Sequence, residues 1–407
     1  MSATAAGQQT PAPRKRIAFV INSLGPGGAE RVMNTILHSA SPEEWDVHLV
    51  LLDREEEHRL PPAFVTVHRL ACGMKLMASI QQLTQALQCI RPDLIVSFLV
   101  RANVASIVAG RRLKTPVVIS ERSNLSAHLA VRYKGAKRSV AAMSSRLAYS
   151  RANFVIACSE GVKRDLVEHF GVFAAHVEAI PNPFDLDQIA SDAKGEPGLS
   201  LPERFMVSVG RLVESKGFAD LIEAYAAADP DIPLLILGEG PDRGLLETRV
   251  RLLGLEGRVK FPGYVRNPFA VLSRAEFYVS ASHCEGFPNS LAEAMAVGLP
   301  VISTDCPSGP AEILAEVQAT GTTIAFAAQY GVLVPVGDIV SMAEALRMMG
   351  KADFRSRYSA MSKERMRAFG VRAITRRYWT AFRRILKQSP RLRAPRARAR
   401  HDEQPQD

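Results

Sequence analysis

Glu285 and Glu293 bracket the run Gly286-Phe287-Pro288-Asn289-Ser290, which follows the apolar stretch Phe277–Ser280 and opens a helical pattern near Ser290. A strand-to-helix turn of this kind presents unpaired backbone N–H groups at a helix N-terminus, a natural seat for an anion. A carboxylate on either side suits a ligand with phosphate in its middle and hydroxyls at both ends, the layout of a nucleotide sugar. A capping loop that happens to carry two glutamates would read the same. Arg211 and Lys216 lie five residues apart on another strand-to-helix loop, after Gly210. Both can reach one diphosphate there and neutralise the charge that grows on a leaving group. The plainer alternative makes Arg211 a solvated loop charge and Lys216 a helix-start residue. Because loops at strand ends contribute little packing, substitutions at Glu285 or Lys216 are expected to spare the fold.

The elements that carry these loops alternate along nearly the whole chain. Apolar runs at Ile17–Asn22, Val47–Leu52, Val65–Leu70, Leu94–Phe98, Val117–Ser120 and Phe154–Cys158 are separated by helix-like stretches. A second series follows at Phe205–Val209, Leu234–Leu237, Val259–Phe261, Phe277–Ser280, Val301–Ser303 and Val332–Val334. Near-continuous Val/Ile/Leu strands between helices imply α/β domains with parallel sheets buried on both faces and ligand crevices at the strands' carboxyl ends. Two series predict two doubly wound, Rossmann-like domains, residues 16–190 and 204–351, joined by a polar, Gly- and Pro-containing linker at 191–203. Residues 352–387 read as helices packing back toward the first domain. The ends, 1–15 and 388–407, lack core-forming residues and are expected to be disordered.

The stretch from Glu285 to Glu293, continued through Gly298-Leu299-Pro300, resembles the donor-binding motif of the retaining family 4 glycosyltransferases, which have the GT-B fold. Gly210-Arg211 through Lys216-Gly217 is similar to that family's basic loop, and Gly238-Glu239-Gly240-Pro241 to its G-x-G-P loop. The order and spacing match from about Arg204 to Val336. The resemblance implies two domains facing across a cleft, and metal-independent transfer of a sugar from a nucleoside-diphosphate sugar with no further cofactor. Under it, Arg211 and Lys216 hold the diphosphate, Glu293 the ribose hydroxyls and Glu285 the sugar. Gly210, Gly238, Gly240, Gly286, Phe287, Pro288, Asn289 and Ser290 complete the donor pocket. Gly27 and Gly28, in the turn after the first strand, are similar to a family loop that touches the donor phosphate; a tight turn needed only for packing is the other reading. The segments Ser120–Asn124 and Cys306–Leu314 look like those of a bacterial subgroup that builds lipid-linked oligosaccharides with N-acetylgalactosamine-type sugars. They imply a UDP-hexose or UDP-N-acetylhexosamine donor, with GDP-mannose as the alternative, and a polyprenyl-diphosphate-linked glycan acceptor. Many relatives carry a histidine in the first of these segments, whereas the nearest here is His128. Glu121, Arg122 and Asn124 are therefore the acceptor-side candidates. A same-fold epimerase or sugar phosphorylase, or a polyanion-binding protein, are the alternatives.

Composition narrows the partners. The 407 residues are 47% hydrophobic and 23% charged, with 51 Lys and Arg against 41 Asp and Glu, an excess of +10 that favours an anionic partner. Arg101 to Arg151 alone holds eleven cations against one anion, Glu121. Within it, Leu125–Ala148 mixes cations with Leu129, Val131, Tyr133, Val140, Met143 and Leu147 at helical spacing, which reads as a membrane-surface helix. Arg132, Lys134, Lys137 and Arg138 form its densest patch; a solvated helix over a core is the alternative. No run approaches the roughly 18 apolar residues of a membrane span, and the N-terminus lacks the apolar core of a secretory signal. A cytoplasmic protein docking on the inner face of the membrane is expected. Five scattered cysteines without a C-x-x-C pair exclude a disulfide framework, and nine histidines form no H-x-x-H cluster, so no metal is expected. Asp185-Leu186-Asp187 at the hinge reads as turn and capping chemistry. No aromatic residue interleaves the arginine-rich tail for base stacking, so no nucleic acid is expected.

Overall fold

The computed structural model describes residues 14–388 except Pro26 and Ala319. The expectations for most of the two termini lie outside the described residues. The first domain runs β1 (Lys15–Ile21), α1 (Gly28–His38), β2 (Trp45–Leu51), β3 (Thr66–Arg69), α2 (Leu76–Ile90), β4 (Leu94–Phe98) and α3 (Val100–Leu113). It continues through β5 (Val117–Glu121), α4 (Leu125–Arg132), α5 (Ala136–Tyr149), β6 (Phe154–Ala157), α6 (Glu160–Phe170) and β7 (Val177–Ala179). Its seven parallel strands lie in the order β3-β2-β1-β4-β5-β6-β7. After α7 (Leu186–Asp192), the second domain follows as β8 (Met206–Val209), α8 (Phe218–Ala228), β9 (Leu234–Leu237), α9 (Arg243–Leu252), β10 (Val259–Gly263) and α10 (Pro268–Leu272). Then come β11 (Phe277–Ser280), α11 (Asn289–Ala296), β12 (Val301–Thr304), α12 (Pro310–Leu314), β13 (Phe326–Ala327), β14 (Val332–Val334) and α13 (Ile339–Gly350). The second sheet is ordered β10-β9-β8-β11-β12-β14-β13, with only β13 antiparallel. In each sheet the strand order reverses beside the first strand, so the loops after β1 and β8 open at the topological switch points where ligands bind.

The chain crosses between domains twice, and the crossings pair. The Phe184 N–H donates to the Phe369 carbonyl and the Val371 N–H to that of Phe184, both at 2.9 Å. Of the two C-terminal helices expected to return, only the last does. α14 (Ala352–Met366) stays on the second domain, with the Ser359 hydroxyl on the Gly298 carbonyl at 2.8 Å and Tyr358 on Ala328 at 3.3 Å. α15 (Val371–Gln388) covers the first sheet, setting Trp379 at a tilt against Trp45 (5.1 Å) and Phe382 edge-on to Phe19 (6.0 Å). The Trp379 indole N–H donates to the Ser39 hydroxyl at 2.9 Å, which fixes the helix's position.

Three further expectations are corrected. Lys15, placed in the unstructured N-terminus, begins β1 because its N–H pairs with the Glu44 carbonyl at 3.0 Å, and Gln388 still belongs to α15. The short strands β7 and β13 have too few residues to stand out as apolar runs. The single basic helix over 125–148 is two helices, broken at Gly135, whose φ of 56° a side chain would resist.

Candidate active site

Four loops at the carboxyl ends of β8, β9, β11 and β12 build the crevice of the second domain. Lys216 closes a single tight turn, Glu214–Lys216, that ends on Gly217 at φ 63°. A Cβ on Gly217 would lie 2.0 Å from the Ala281 carbonyl oxygen, so only glycine lets the β8 loop press onto the β11 loop. That contact delivers the Lys216 ammonium to Glu285 at 2.5 Å, with only 24% and 11% of the two side chains exposed. Burial opposes the charge on Lys216, but the Glu285 carboxylate outweighs it and holds the lysine pKa above its ordinary value. The Ser282 hydroxyl donates to the same carboxylate oxygen at 2.7 Å, and Ser308 braces the Glu285 backbone carbonyl at 2.6 Å. His283 ties the two loops together from outside, through Asp220 (2.7 Å) and the Ser215 carbonyl (2.9 Å). Ser282, Ser308 and His283 escaped the sequence reading because serines and a loop histidine carry no signal until the fold makes them neighbours.

Gly238 and Gly240 serve the same close packing. Their Cβ atoms would lie 2.0 Å from the Gly210 carbonyl and 2.1 Å from that of Leu212. Arg211, on this ridge, is exposed and makes no ion pair among the described residues, leaving its guanidinium available at the mouth. Phe287, expected in the donor pocket, turns its ring instead into the hinge between Phe184 (6.1 Å) and Phe369 (5.5 Å). Pro288 precedes α11 and packs on Gly309, Ser290 hydrogen-bonds the Tyr278 hydroxyl at 2.8 Å, and Glu293 lies buried on α11.

The first domain closes against these loops. A Cβ on Gly286 would sit 2.2 Å from the Arg122 carbonyl oxygen, and one on Gly28 2.3 Å from Asn289 Nδ2. Gly28 thus lies against the side chain of Asn289, the first residue of α11, whereas Gly27 is exposed. Asn182 pairs with Asn289, and Arg31 of α1 pairs with Glu293 across the cleft. Glu312 of α12 reaches the start of α6, accepting from the Glu160 and Gly161 N–H groups at 2.7 and 2.9 Å. Burial pushes its pKa up while those N–H groups pull it down.

Two of the three acceptor-side candidates are structural. Glu121 is 1% exposed and accepts from the Tyr149 hydroxyl (2.5 Å), the Ser123 hydroxyl (2.9 Å) and the N–H groups of Arg122 and Ser123. Asn124 caps α4 through the Ala127 N–H at 3.0 Å. Arg122 remains at the cleft. It donates to the Tyr378 hydroxyl at 3.0 Å and lies over the Phe98 ring, with Nη2 buried and unpartnered. Asp185 at the hinge caps α7 through the Gln188 N–H at 3.1 Å, as its turn chemistry implies.

Two doubly wound domains closed over a crevice that holds a Lys–Glu pair have the GT-B architecture. The chain belongs to the glycosyl transferases group 1 family, whose model matches residues 191–364, with a glycosyl transferase 4-like domain over residues 27–183. It is 31% identical over 380 residues to a Campylobacter jejuni N-acetylgalactosamine-N,N'-diacetylbacillosaminyl-diphospho-undecaprenol 4-alpha-N-acetylgalactosaminyltransferase, covering 89% of this chain and 98% of that protein. A second C. jejuni enzyme, an alpha-1,4-N-acetyl-D-galactosaminyltransferase acting on a diphospho-undecaprenol-linked glycan, is 27% identical over 88% of this chain and 95% of its own length. Among solved structures, Anabaena HepE in complex with UDP superposes with a TM-score of 0.68 at 22% identity, over 91% of this chain and all of that one. Sucrose-phosphate synthase from Thermosynechococcus elongatus gives 0.73 at 19% identity, over 92% and 100%. These two likenesses bear on the fold.

The buried ion pair revises the expectation that substitutions here leave the fold untouched. Lys216→Met or Glu285→Gln alone strands its partner in a low-dielectric site and should cost roughly 3 kcal/mol, the lower end for buried pairs because neither side chain is fully sealed. The double substitution should recover most of that stability in chemical denaturation. All three variants should lose transfer by about a hundredfold or more, as expected for lost charge stabilisation. A double variant as unstable as the singles would show that the pair does not hold the crevice.

Proposed function

We propose that the protein transfers a hexose or N-acetylhexosamine from its UDP-sugar to a polyprenyl-diphosphate-linked glycan, with retention of configuration, in cell-surface glycan synthesis. The observation that carries this reading is the end-to-end similarity to a transferase whose name specifies a diphospho-undecaprenol acceptor. That relative is neither an epimerase nor a phosphorylase. Lys216 and Arg211 hold the donor diphosphate and offset the negative charge that develops as the bond from the sugar carbon to phosphate breaks. Glu285 faces the sugar hydroxyls and Glu293 the ribose. The acceptor oxygen bonds the sugar carbon on the face the diphosphate leaves, and its proton passes to a leaving phosphate oxygen. Metal independence is part of this reading, because Lys216 and Arg211 supply the cations that the leaving diphosphate needs.

The acceptor brings the protein to the inner face of the membrane. No described helix is long and apolar enough to cross a membrane. The docking face differs in detail from the one the sequence indicated. Leu129 is buried, whereas α5 exposes Val140, Met143 and Leu147, with Val131 of α4 also exposed. Lys134, Lys137 and Arg138 are exposed nearby. Apolar side chains flanked by cations fit an anionic lipid surface, where each cation contributes about 1 kcal/mol.

Incubation with UDP-hexoses and UDP-N-acetylhexosamines plus a diphosphate-linked acceptor should yield one sugar mass increment per UDP released, undiminished by EDTA. Donor consumption without acceptor, or loss on chelation restored by Mn²⁺, would contradict the reading. Charge reversal at Arg132, Lys134, Lys137 and Arg138 should abolish co-flotation with anionic vesicles and spare activity on a short soluble acceptor. Unchanged flotation would make this an ordinary solvated helix.

A further inference from the structure

The segment Cys306–Leu314 has no substrate-facing role, yet it stands between the Glu285–Pro288 turn and the first domain. Both of its faces are filled without slack. On one side the start of α6 presses in: a Cβ on Gly161 would lie 2.5 Å from Ser308 Cβ and 2.7 Å from the Pro307 carbonyl oxygen. On the other, a Cβ on Gly309, at φ 98°, would lie 2.5 Å from Pro288 Cδ. There the Ser308 hydroxyl also donates to the Glu285 carbonyl at 2.6 Å. Contacts packed this closely transmit a displacement rather than absorb it.

Glu312 holds α6 against this segment. Its carboxylate accepts from the Glu160 and Gly161 N–H groups at 2.7 and 2.9 Å, at the positive end of an 11-residue helix. A helix start is ordinarily capped by the residue just before it, and α6 has that cap in Ser159, which accepts from the Val162 N–H at 3.2 Å. Glu312 is thus a second cap, supplied across the domain seam. Arg164, one turn along α6, repeats the contact by donating to Gln318 at 2.8 Å. From its other end α12 is fixed by Arg365 of α14, which donates to the carbonyls of Glu312 (2.7 Å) and Ile313 (2.9 Å). That guanidinium lies 4.9 Å from the Phe369 ring, beside the interdomain crossing.

We propose that Glu312 is a positioning residue for transfer: by gripping α6 it seats Pro307–Gly309 against the Glu285–Pro288 turn and so aims the Glu285 carboxylate at the sugar. It acts through Ser308 and touches no substrate. The first domain thereby takes part in setting a donor residue of the second, without lending a side chain to the donor pocket. The loop of Lys216 is set separately, by Gly217 on the Ala281 carbonyl. This rests on the reading of Glu285 as the sugar-facing residue.

Turnover and nucleotide affinity should therefore separate. In Glu312→Ala, kcat with sugar donor and diphosphate-linked acceptor should fall about ten-fold or more, the scale of a small misplacement of a reacting group. Calorimetric affinity for UDP or GDP, which carry no sugar to meet Glu285, should stay within about two-fold. Glu312→Gln keeps one acceptor oxygen for an N–H group, and the fold with it, and should regain part of the lost kcat, since a neutral hydrogen bond is weaker than a charged one. Ser308→Ala should also lower kcat. The Glu312→Ala/Ser308→Ala double variant should be no slower than the slower single, because both cut one line of contacts. Effects on kcat that simply add, or kcat and nucleotide affinity falling together with the melting temperature, would make Glu312 an ordinary helix cap and overturn the proposal. So would an unchanged kcat in Glu312→Ala. If the wild-type chain binds neither UDP nor GDP, the proposed function itself fails and this inference with it.

Discussion

A lysine buried against a glutamate holds the crevice of the second domain in shape. Taking two charges out of water costs several kcal/mol each, and their attraction offsets that only with good geometry and further hydrogen bonds. The surrounding loops supply both. Gly217 lets the β8 loop touch the Ala281 carbonyl, Ser282 donates to Glu285, and Ser308 and His283 brace the two loops. Lys216 stays fully charged as a result, since Glu285 holds its pKa up. Under the proposed function, an arriving diphosphate competes with Glu285 for a cation already in place and only 24% exposed.

The same economy of space governs the cleft between the domains. Gly286 against the Arg122 carbonyl and Gly161 against Pro307 and Ser308 bring loops so close that a methyl group would not fit. Carboxylates in this contact are engaged: Glu285 by Lys216, Glu293 by Arg31, Glu121 by Tyr149, and Glu312 by the first N–H groups of α6. A general base for attack on the far face of the sugar would need a carboxylate released from such a partner. Under the proposed retention, proton transfer to the leaving phosphate needs no such release.

Much of this was legible in the sequence, for a physical reason. Strands such as Leu94–Phe98, Leu234–Leu237 and Phe277–Ser280 are buried on both faces, so their apolar runs mark them residue for residue. Glu285, Glu293, Arg211 and Lys216 stood out because their loops sit at strand ends with glycines beside them. What stayed hidden depends on partners far apart in the chain. Nothing near Glu121 announces Tyr149 as its donor, and nothing near Glu293 announces Arg31, 262 residues earlier by their numbering. Phe287 reads as part of the donor motif, but its ring is a hinge residue because Phe184 and Phe369 come from the two interdomain crossings. Leu129 reads as lipid-facing, yet it is buried while Val131 of the same helix is exposed.

In the proposed reaction the departing diphosphate, rather than a protein carboxylate, takes the acceptor's proton. The most direct test is the configuration of the new linkage, read by NMR at the transferred sugar's anomeric centre with an α-configured UDP-sugar as donor. Retention gives an α-linked product. A β-linked product would require a free base on the opposite face and would contradict it.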